Sequence, residues 1–315
     1  MTRPNRVVGR SMVGAAGAVA LSLGLVASLP AQTFRSAVDA VSVDVLVTRR
    51  GQPVTDLTVA DFTLRDSGVE QQIQSLELDE VPITLLLVLD VSGSVGGRGL
   101  EQLRAAAGAA GEALRPDDRV GLVTFSDRVR FGLDPSSSAD ALPTALTRVR
   151  AGGATALYDA TFTGLTLRER TGARTLMLVF SDGDDTASWL DPREVLDVAQ
   201  RSDVVVYGVA FDRGPSDSFV TRERQAWIQE WFPLEPDLFR RAYLSRLVSD
   251  TGGSLQVSSD LGRLREMFAR VVSEFRSRYV LTYVPRGVSD TGWHELEVAV
   301  EGRGLEVTAR RGYLR

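Results

Sequence analysis

The chain has 315 residues, of which 43% are hydrophobic and 24% are charged, and its formal net charge is −5 at pH 7. This length suits one large domain with extensions or two smaller domains, and the composition excludes collagen-like, coiled-coil and multi-span membrane proteins. The sequence has no cysteine, which excludes disulfides, thiolate zinc sites, iron–sulfur clusters and cysteine nucleophiles. Its single histidine, His294, excludes zinc sites built on several histidines and leaves a serine hydrolase only one possible base.

The first 31 residues have the pattern of an export signal. Three arginines precede an apolar stretch from Met12 to Leu29, so we predict a signal peptide over residues 1–31, with an uncleaved anchor as the alternative. Cleavage after Ala31 removes three positive charges and leaves 284 residues with a formal charge of −8. Such an acidic chain lacks the positive field that binds nucleic acid. We expect a periplasmic or extracellular protein without a membrane span in its mature form.

The segment that follows the leader alternates between apolar and polar residues. Val41–Arg49 reads VSVDVLVTR, the residues GQPV supply a turn, and Leu57–Arg65 continues to another turn at residues 66–68. This period of two is typical of antiparallel strands with one face in solvent. Residues 32–80 are therefore predicted to form an N-terminal β segment.

From Val81 onward the pattern changes to buried strands that alternate with helices. The run VPITLLLVLD is apolar almost throughout and too short to cross a membrane, which is typical of a strand buried on both faces. The predicted strands are 82–90, 119–126, 129–133, 174–181, 203–211 and 254–258, and the predicted helices are 98–114, 138–149, 156–170, 191–201, 237–251 and 260–277. The alternation predicts an α/β fold over residues 81–278, in which a doubly wound, mostly parallel sheet is flanked by helices.

One connection in this α/β pattern is unusually long. Asp212–Pro236 contains Trp227, Trp231 and Phe232, and loops of this length are often functional. The rings could belong to an amphipathic helix that packs on the domain, or they could form an exposed partner-binding surface.

After Arg276 the sequence returns to β patterning. The segments RYVLTYVP, WHELEVAVEG and LEVTARRGYL are separated by turns at residues 288–292 and 302–304. Because so few short strands cannot cover their own apolar face, we expect the C-terminal β segment 279–315 to pair with residues 32–80 in a small β module.

Three predicted loops place oxygen ligands at one edge of the central sheet. The first buried strand ends in D-x-S-x-S, a GGAT loop precedes a helix, and a later buried strand ends in SDG; the candidate ligands are Asp90, Ser92, Ser94, Thr155 and Asp182. Ligands bind at this edge of open α/β sheets. Carboxylate and hydroxyl oxygens suit Mg²⁺, Mn²⁺ or Ca²⁺. Each pattern alone has a simpler explanation, such as a serine-rich turn or an ordinary helix cap.

Together, the D-x-S-x-S, GGAT and SDG motifs resemble the von Willebrand factor type A (VWA) domain over roughly residues 81–277. The flanking segments PVTDLTVADFTLRDSG, YVLTYVP and RGYLR are similar to a group of bacterial secreted proteins with a VWA-related domain. The resemblance implies a metal-ion-dependent adhesion site. In that site Ser92 and Ser94 would bind the ion directly, Asp90 and Asp182 directly or through water, and Thr155 in one of two metal arrangements.

The resemblance implies a protein-binding module, without catalysis of its own, whose metal ion binds a glutamate or aspartate of a partner protein. Mg²⁺ is the first choice, because it accepts few carboxylates and keeps several waters. One alternative is a Mg²⁺-dependent phosphohydrolase with Asp90 as nucleophile, although the second carboxylate and a GxxxxGK loop are missing. A serine hydrolase would need His294 as its base. The third alternative is a structural envelope protein whose motif binds no metal.

Overall fold

The computed structural model of the protein describes residues 40–167, 173–212 and 236–315. The predicted leader lies outside these residues, as do the three aromatic residues of the predicted insertion. The described residues belong to one compact unit. Within the described ranges, no helix has the length and apolar character needed to cross a membrane.

In these three ranges the chain forms fifteen strands and six α-helices. The strands are β1 (Val41–Arg49), β2 (Gln52–Pro53), β3 (Phe62–Asp66), β4 (Val69–Gln71), β5 (Ile73–Leu78), β6 (Ile83–Asp90), β7 (Arg119–Phe125), β8 (Val129–Ser137), β9 (Arg174–Ser181), β10 (Val205–Phe211), β11 (Leu255–Ser258), β12 (Tyr279–Tyr283), β13 (Trp293–Val300), β14 (Leu305–Thr308) and β15 (Gly312–Leu314). The helices are α1 (Arg98–Glu112), α2 (Leu142–Arg148), α3 (Leu157–Thr166), α4 (Pro192–Gln200), α5 (Pro236–Asp250) and α6 (Leu264–Arg276).

The central sheet has six strands in the order β11-β10-β9-β6-β7-β8. All neighbours are parallel except β8, which runs antiparallel to β7 at the edge. The strands β6 and β9 are buried along their whole length, because α1, α2 and α6 cover one face of the sheet and α3, α4 and α5 cover the other. The predicted doubly wound α/β fold is confirmed, and the elements fall within a few residues of their predicted bounds.

The segments on either side of this α/β region form two antiparallel sheets that share a third core. One sheet has the order β14-β1-β12-β5, with β2 beside β1, and the other has the order β15-β13-β3-β4. Strand β1 pairs with β12 in a register that places Val43 opposite Leu281, so the two flanks of the chain meet in one ladder. Their alternating apolar residues point into the core between the sheets, which explains the period of two.

The prediction for the N-terminal segment is wrong in two details. The predicted strand Leu57–Arg65 begins only at Phe62, because Val59–Asp61 form a short 3₁₀ turn in which the Asp61 carboxylate accepts the Thr58 backbone N–H at 2.7 Å. Strands β4 and β5, which follow the turn at residues 66–68, were also not predicted. Strand β5 pairs with β12, a partner about two hundred positions later in the chain that no local pattern specifies.

A buried ion pair connects β1 to the central sheet and allows a test of its stability. The Arg174 Nε donates to Asp44 Oδ1 at 2.8 Å, and the guanidinium lies over the Phe275 ring at 4.4 Å. We expect Asp44→Ala to lower the free energy of unfolding by about 3 kcal/mol, because it leaves a buried cation without its partner. Urea denaturation measures this loss. The control is Glu266→Ala, which breaks an exposed ion pair with Arg270 and should cost less than about 0.5 kcal/mol; equal losses in both variants would contradict the expectation.

Candidate metal centre

The candidate site begins where two neighbouring strands end. Strands β6 and β9 are adjacent and parallel, with Leu89 opposite Phe180, so the segments that contain Asp90 and Asp182 leave the same edge of the sheet. As a result Ser181 lies beside Asp90, and its hydroxyl donates to Asp90 Oδ2 at 2.9 Å. Ser181 was not among the predicted site residues, although its position directly before Asp182 at a strand end was a usable signal.

The Asp90 carboxylate is fully buried and held by the turn that follows it. Its Oδ1 accepts the Ser92 backbone N–H at 2.8 Å, and the Ser92 and Ser94 hydroxyls lie 2.9 Å apart. Burial, together with the negative charge of Asp182, raises the pKa of Asp90 to about 6, against the opposing effect of the hydrogen bonds from Ser92 and Ser181. A cation held between the two carboxylates would offset both unfavourable effects.

The glycine loop is attached to the Asp90 turn by two backbone hydrogen bonds. The Gly152 N–H donates to the Val91 carbonyl at 2.8 Å, and the Gly93 N–H donates to the Gly153 carbonyl at 3.0 Å. Gly153 has a φ of +92°, a conformation that strongly favours glycine. The GGAT sequence therefore brings its loop alongside D-x-S-x-S through backbone geometry.

The loop after β9 is in turn attached to Thr155. The Thr155 carbonyl accepts the backbone N–H groups of Thr186 and Ala187 at 2.8 and 3.0 Å, and the Thr155 N–H donates to the Thr186 hydroxyl at 3.0 Å. The Thr155 side chain is not the helix cap, since α3 is preceded by Ala156. Within the part of the chain that the structure describes, no group hydrogen-bonds to the Thr155 hydroxyl, so its oxygen is available for a ligand.

The neighbouring acids bind backbone groups. Asp185 accepts the Tyr158 backbone N–H at 3.1 Å, and Asp159 accepts the N–H groups of Trp189 and Leu190 at 3.0 to 3.1 Å. These contacts fix the loop after β9 against the first turn of α3.

The donor set fits a hard divalent cation. It comprises two carboxylates and three hydroxyls, and two negative charges beside a 2+ ion leave the site nearly neutral. In the described ranges, no cluster of three or more acidic, histidine or cysteine side chains is placed to hold a metal ion by itself. The assignment of the five ligands stays a prediction.

Gly153 offers a test of the loop that carries Thr155. A Cβ at this position would lie 2.6 Å from the Asp127 Oδ1 atom and would have to adopt the unfavourable positive φ. We expect Gly153→Ala to destabilise the protein by about 1–3 kcal/mol and to weaken Mg²⁺ binding. The control is Gly108→Ala in α1, where a Cβ meets nothing within 4 Å and should stabilise the helix by about 0.5–1 kcal/mol. Chemical denaturation compares the stabilities of the two variants, and calorimetric titration compares their Mg²⁺ binding. A Gly153→Ala variant with wild-type stability and wild-type Mg²⁺ binding would show that the backbone conformation at Gly153 is not needed.

Residues 84–223 match the family model of the von Willebrand factor type A domain. Together with the doubly wound sheet, this match shows that the chain contains a VWA domain, as the motifs predict. Domains of this class commonly bind a divalent cation at a metal-ion-dependent adhesion site and typically bind protein partners.

Individual relatives share only parts of the chain. An uncharacterized protein of Synechocystis sp. is 32% identical over 87 residues, which are 27% of this chain and 21% of that protein. The inter-alpha-trypsin inhibitor heavy chain H4 of Bos taurus is 28% identical over 131 residues, 38% of this chain and 14% of that protein. Among solved structures, a von Willebrand factor type A protein from Catenulispora acidiphila is similar with a TM-score of 0.48 and 12% identity, covering 81% of this chain and 73% of that one. The chain thus spans 21% and 14% of the lengths of the Synechocystis and Bos taurus relatives.

Proposed function

We propose that this protein is an exported, non-catalytic binding module that holds a divalent cation at the edge of its sheet and binds a carboxylate of a partner protein through it. The proposed ligands are Asp90, Ser92, Ser94, Thr155 and Asp182. Mg²⁺ is the favoured ion, and Mn²⁺ or Ca²⁺ would suit the same oxygens. When bound, the cation would supply an open coordination position to a glutamate or aspartate side chain of the partner.

The observation that carries this proposal is the hydrogen-bonded joining of three loops that are distant in sequence. The D-x-S-x-S turn is attached to the glycine loop, the glycine loop to the segment after β9, and Ser181 to Asp90. This arrangement fixes the backbone around the candidate oxygens before any ligand arrives, and such preorganisation lowers the cost of binding.

The surroundings of the site support a protein as the partner. The Trp189 side chain is 95% exposed, although its backbone is held by the Asp159 carboxylate. An aromatic ring presented to solvent on a fixed loop is typical of an interface anchor. Trp189 lies three residues after Thr186, which contacts Thr155, so the ring belongs to the same edge of the sheet.

A hydrolase at this edge would lack a histidine base. His294 is the only histidine of the chain, and it is fully buried with Asp66 in the core between the two smaller sheets. Ser92 and Ser94 therefore have no imidazole to activate them, which favours binding over acyl transfer.

Metal binding is tested by calorimetric titration of Mg²⁺ into full-length protein that has been treated with a chelator. We expect saturable binding that disappears in Ser92→Ala and persists in Ser289→Ala, whose hydroxyl contacts only the backbone of its own turn. Equal binding by both variants would contradict the proposed ligand set.

Partner binding is tested by pull-down from a cell-envelope extract of the source organism. We expect a protein that is captured in Mg²⁺, released by chelator and captured poorly by Ser92→Ala and Trp189→Ala. Capture that is unaffected by the chelator would show that partner binding does not depend on the cation. Phosphate-ester or acyl-ester turnover by metal-loaded protein would instead favour the hydrolase.

A further inference from the structure

Beside the candidate metal site lies a second feature of the same edge, a cleft of about 480 Å³. We name it the arginine cleft, because its lining includes Arg130, Arg148 and Arg150 together with Phe131. Its wall is completed by the end of β7 and by residues 151–153 of the glycine loop. The cleft therefore adjoins the candidate metal site through a shared loop.

The arginine cleft is positively charged within an acidic protein. Within the described ranges, Arg130, Arg148 and Arg150 form no ion pair with a carboxylate, and Arg150 donates only to the backbone carbonyls of Thr147 and Val149. The single acid of the lining, Asp127, lies 3.8 Å from the guanidinium of Arg128, which is outside the lining. Three arginines against one acid leave a net positive cleft, although the whole chain carries −5. An anionic group is the complementary ligand.

Phe131 gives the cleft an apolar contact as well. Its side chain is 66% exposed at the start of the edge strand β8, where the pairing with β7 is irregular next to Gly132. Irregularities of this kind redirect side chains at sheet edges. A large exposed ring next to unpaired guanidinium groups suits a ligand that carries both negative charge and an apolar side chain.

The shared loop determines where such a ligand would lie. The Gly153 carbonyl accepts a hydrogen bond from Gly93, between Ser92 and Ser94, while Gly152 and Gly153 also line the cleft. A chain segment leaving the proposed cation on this side would pass directly into the arginine cleft. An extended peptide advances about 3.3 Å per residue, so a short segment can span two neighbouring features that share one loop.

We infer that the arginine cleft binds an acidic segment of the partner protein, one that carries an aromatic or aliphatic side chain among its carboxylates. The inference rests on the proposed function in taking the partner to be a protein. The contacts of the cleft, however, are made by arginines and do not need the cation.

The test uses fluorescence anisotropy with a fluorescein-labelled peptide of repeating Glu-Asp-Phe triplets, titrated with the full-length protein in chelator and in Mg²⁺. In chelator we expect Arg130→Glu/Arg148→Glu to weaken binding by about tenfold or more, because attraction becomes repulsion. Neither side chain hydrogen-bonds to a described residue, so the variant should fold. The matched control is Arg303→Glu/Arg311→Glu, which makes the same change of charge at exposed positions of the smaller sheets and should shift affinity less than about twofold. Phe131→Ser should weaken binding by about threefold without altering charge.

The outcomes separate this inference from the proposed function. Wild-type affinity of Arg130→Glu/Arg148→Glu for the acidic peptide would overturn the arginine cleft as its binding site, whatever the calorimetry shows. Binding of a heparin oligosaccharide without binding of the peptide would also overturn it and would assign the cleft to a sulfated glycan. Peptide binding that depends on the arginines, in a protein that takes up no Mg²⁺, would support the cleft and contradict only the proposed metal site.

Discussion

Asp90→Asn is expected to abolish Mg²⁺ binding and, at the same time, to stabilise the metal-free protein. The substitution keeps the shape of a fully buried side chain while removing a negative charge that lies near Asp182. The pKa of Asp90 is raised to about 6, and because the folded state holds the proton more tightly than the unfolded state, metal-free stability falls as pH rises from about 4 to above 6. We therefore expect the metal-free variant to gain about 1–3 kcal/mol at neutral pH and little below pH 4.

Thermal unfolding in chelator and in Mg²⁺ measures both effects. Wild-type protein should be stabilised by about 2.7 kcal/mol when Mg²⁺ is a hundredfold above its dissociation constant, and Asp90→Asn should not respond. The control is Asp290→Asn, because the Asp290 side chain is 96% exposed and lies on a turn of the smaller sheets. A response of Asp90→Asn to Mg²⁺ equal to that of the control would remove Asp90 from the ligand set.

The second large effect is expected at Asp66, which organises a buried polar cluster between the two smaller sheets. Its carboxylate is fully buried and accepts hydrogen bonds from Tyr283 at 2.8 Å, Tyr313 at 2.9 Å, Ser67 at 3.0 Å and His294 at 2.8 Å. Because an ionised carboxylate only accepts, the Nδ1 of His294 carries the proton. We expect Asp66→Ala to cost about 3–5 kcal/mol, since it leaves several buried donors without an acceptor.

The contribution of Asp66 to the free energy of unfolding should decrease as the pH falls. Burial would raise its pKa, but the hydrogen bonds from Tyr283, His294, Tyr313 and Ser67 outweigh burial and lower the pKa below its ordinary value. In the unfolded state the pKa of an aspartate is about 3.9, and in the folded protein the pKa of Asp66 is lower, so the ionised side chain stabilises the fold at pH values above about 3.9. This stability is lost as the pH falls through the pKa of the folded state. The difference between wild type and Asp66→Asn should therefore shrink in acid.

Urea denaturation at a series of pH values measures this difference. The milder variant Tyr313→Phe removes one hydroxyl and should lower the free energy of unfolding by about 1 kcal/mol. It allows the cluster to be tested if Asp66→Ala does not fold. Asp56→Asn, an exposed acid near the start of the same sheet pair, is the control and should change stability by less than about 0.5 kcal/mol. A cost at Asp66 no larger than at Asp56 would show that the cluster is not needed for stability. The single histidine gives one set of imidazole NMR signals, which reports whether the cluster itself is intact.

The sequence predicts the central sheet well because each of its strands has a strong local signal. The runs ending at Asp90 and Ser181 are apolar on both faces, and only a strand covered by helices on both sides can bury such a run. The three motifs could be located for the same reason, since each follows a recognisable strand or begins a helix.

The sequence predicts that the two β flanks pair, but it does not identify the individual side-chain contacts between distant segments. Thr186 holds the Thr155 loop, yet nothing in the sequence marks this threonine as a partner of a residue 31 positions earlier. Arg130 and Arg148 line one cleft only because the edge strand β8 lies beside α2. The hydrogen-bond partners of Asp66 are likewise up to 247 positions away in the chain, and no periodic pattern of the sequence predicts such contacts.

The pairing of β1 with β12 has a consequence for synthesis of the protein. Val41 is opposite Tyr283, so the first strand leaves the ribosome long before its partner has been translated. The central α/β region can fold in the interval, because its strands and helices alternate locally. Meanwhile β1 exposes an unpaired apolar edge of the kind that aggregates. A nascent chain of this protein therefore needs protection at β1 until β12 has been translated.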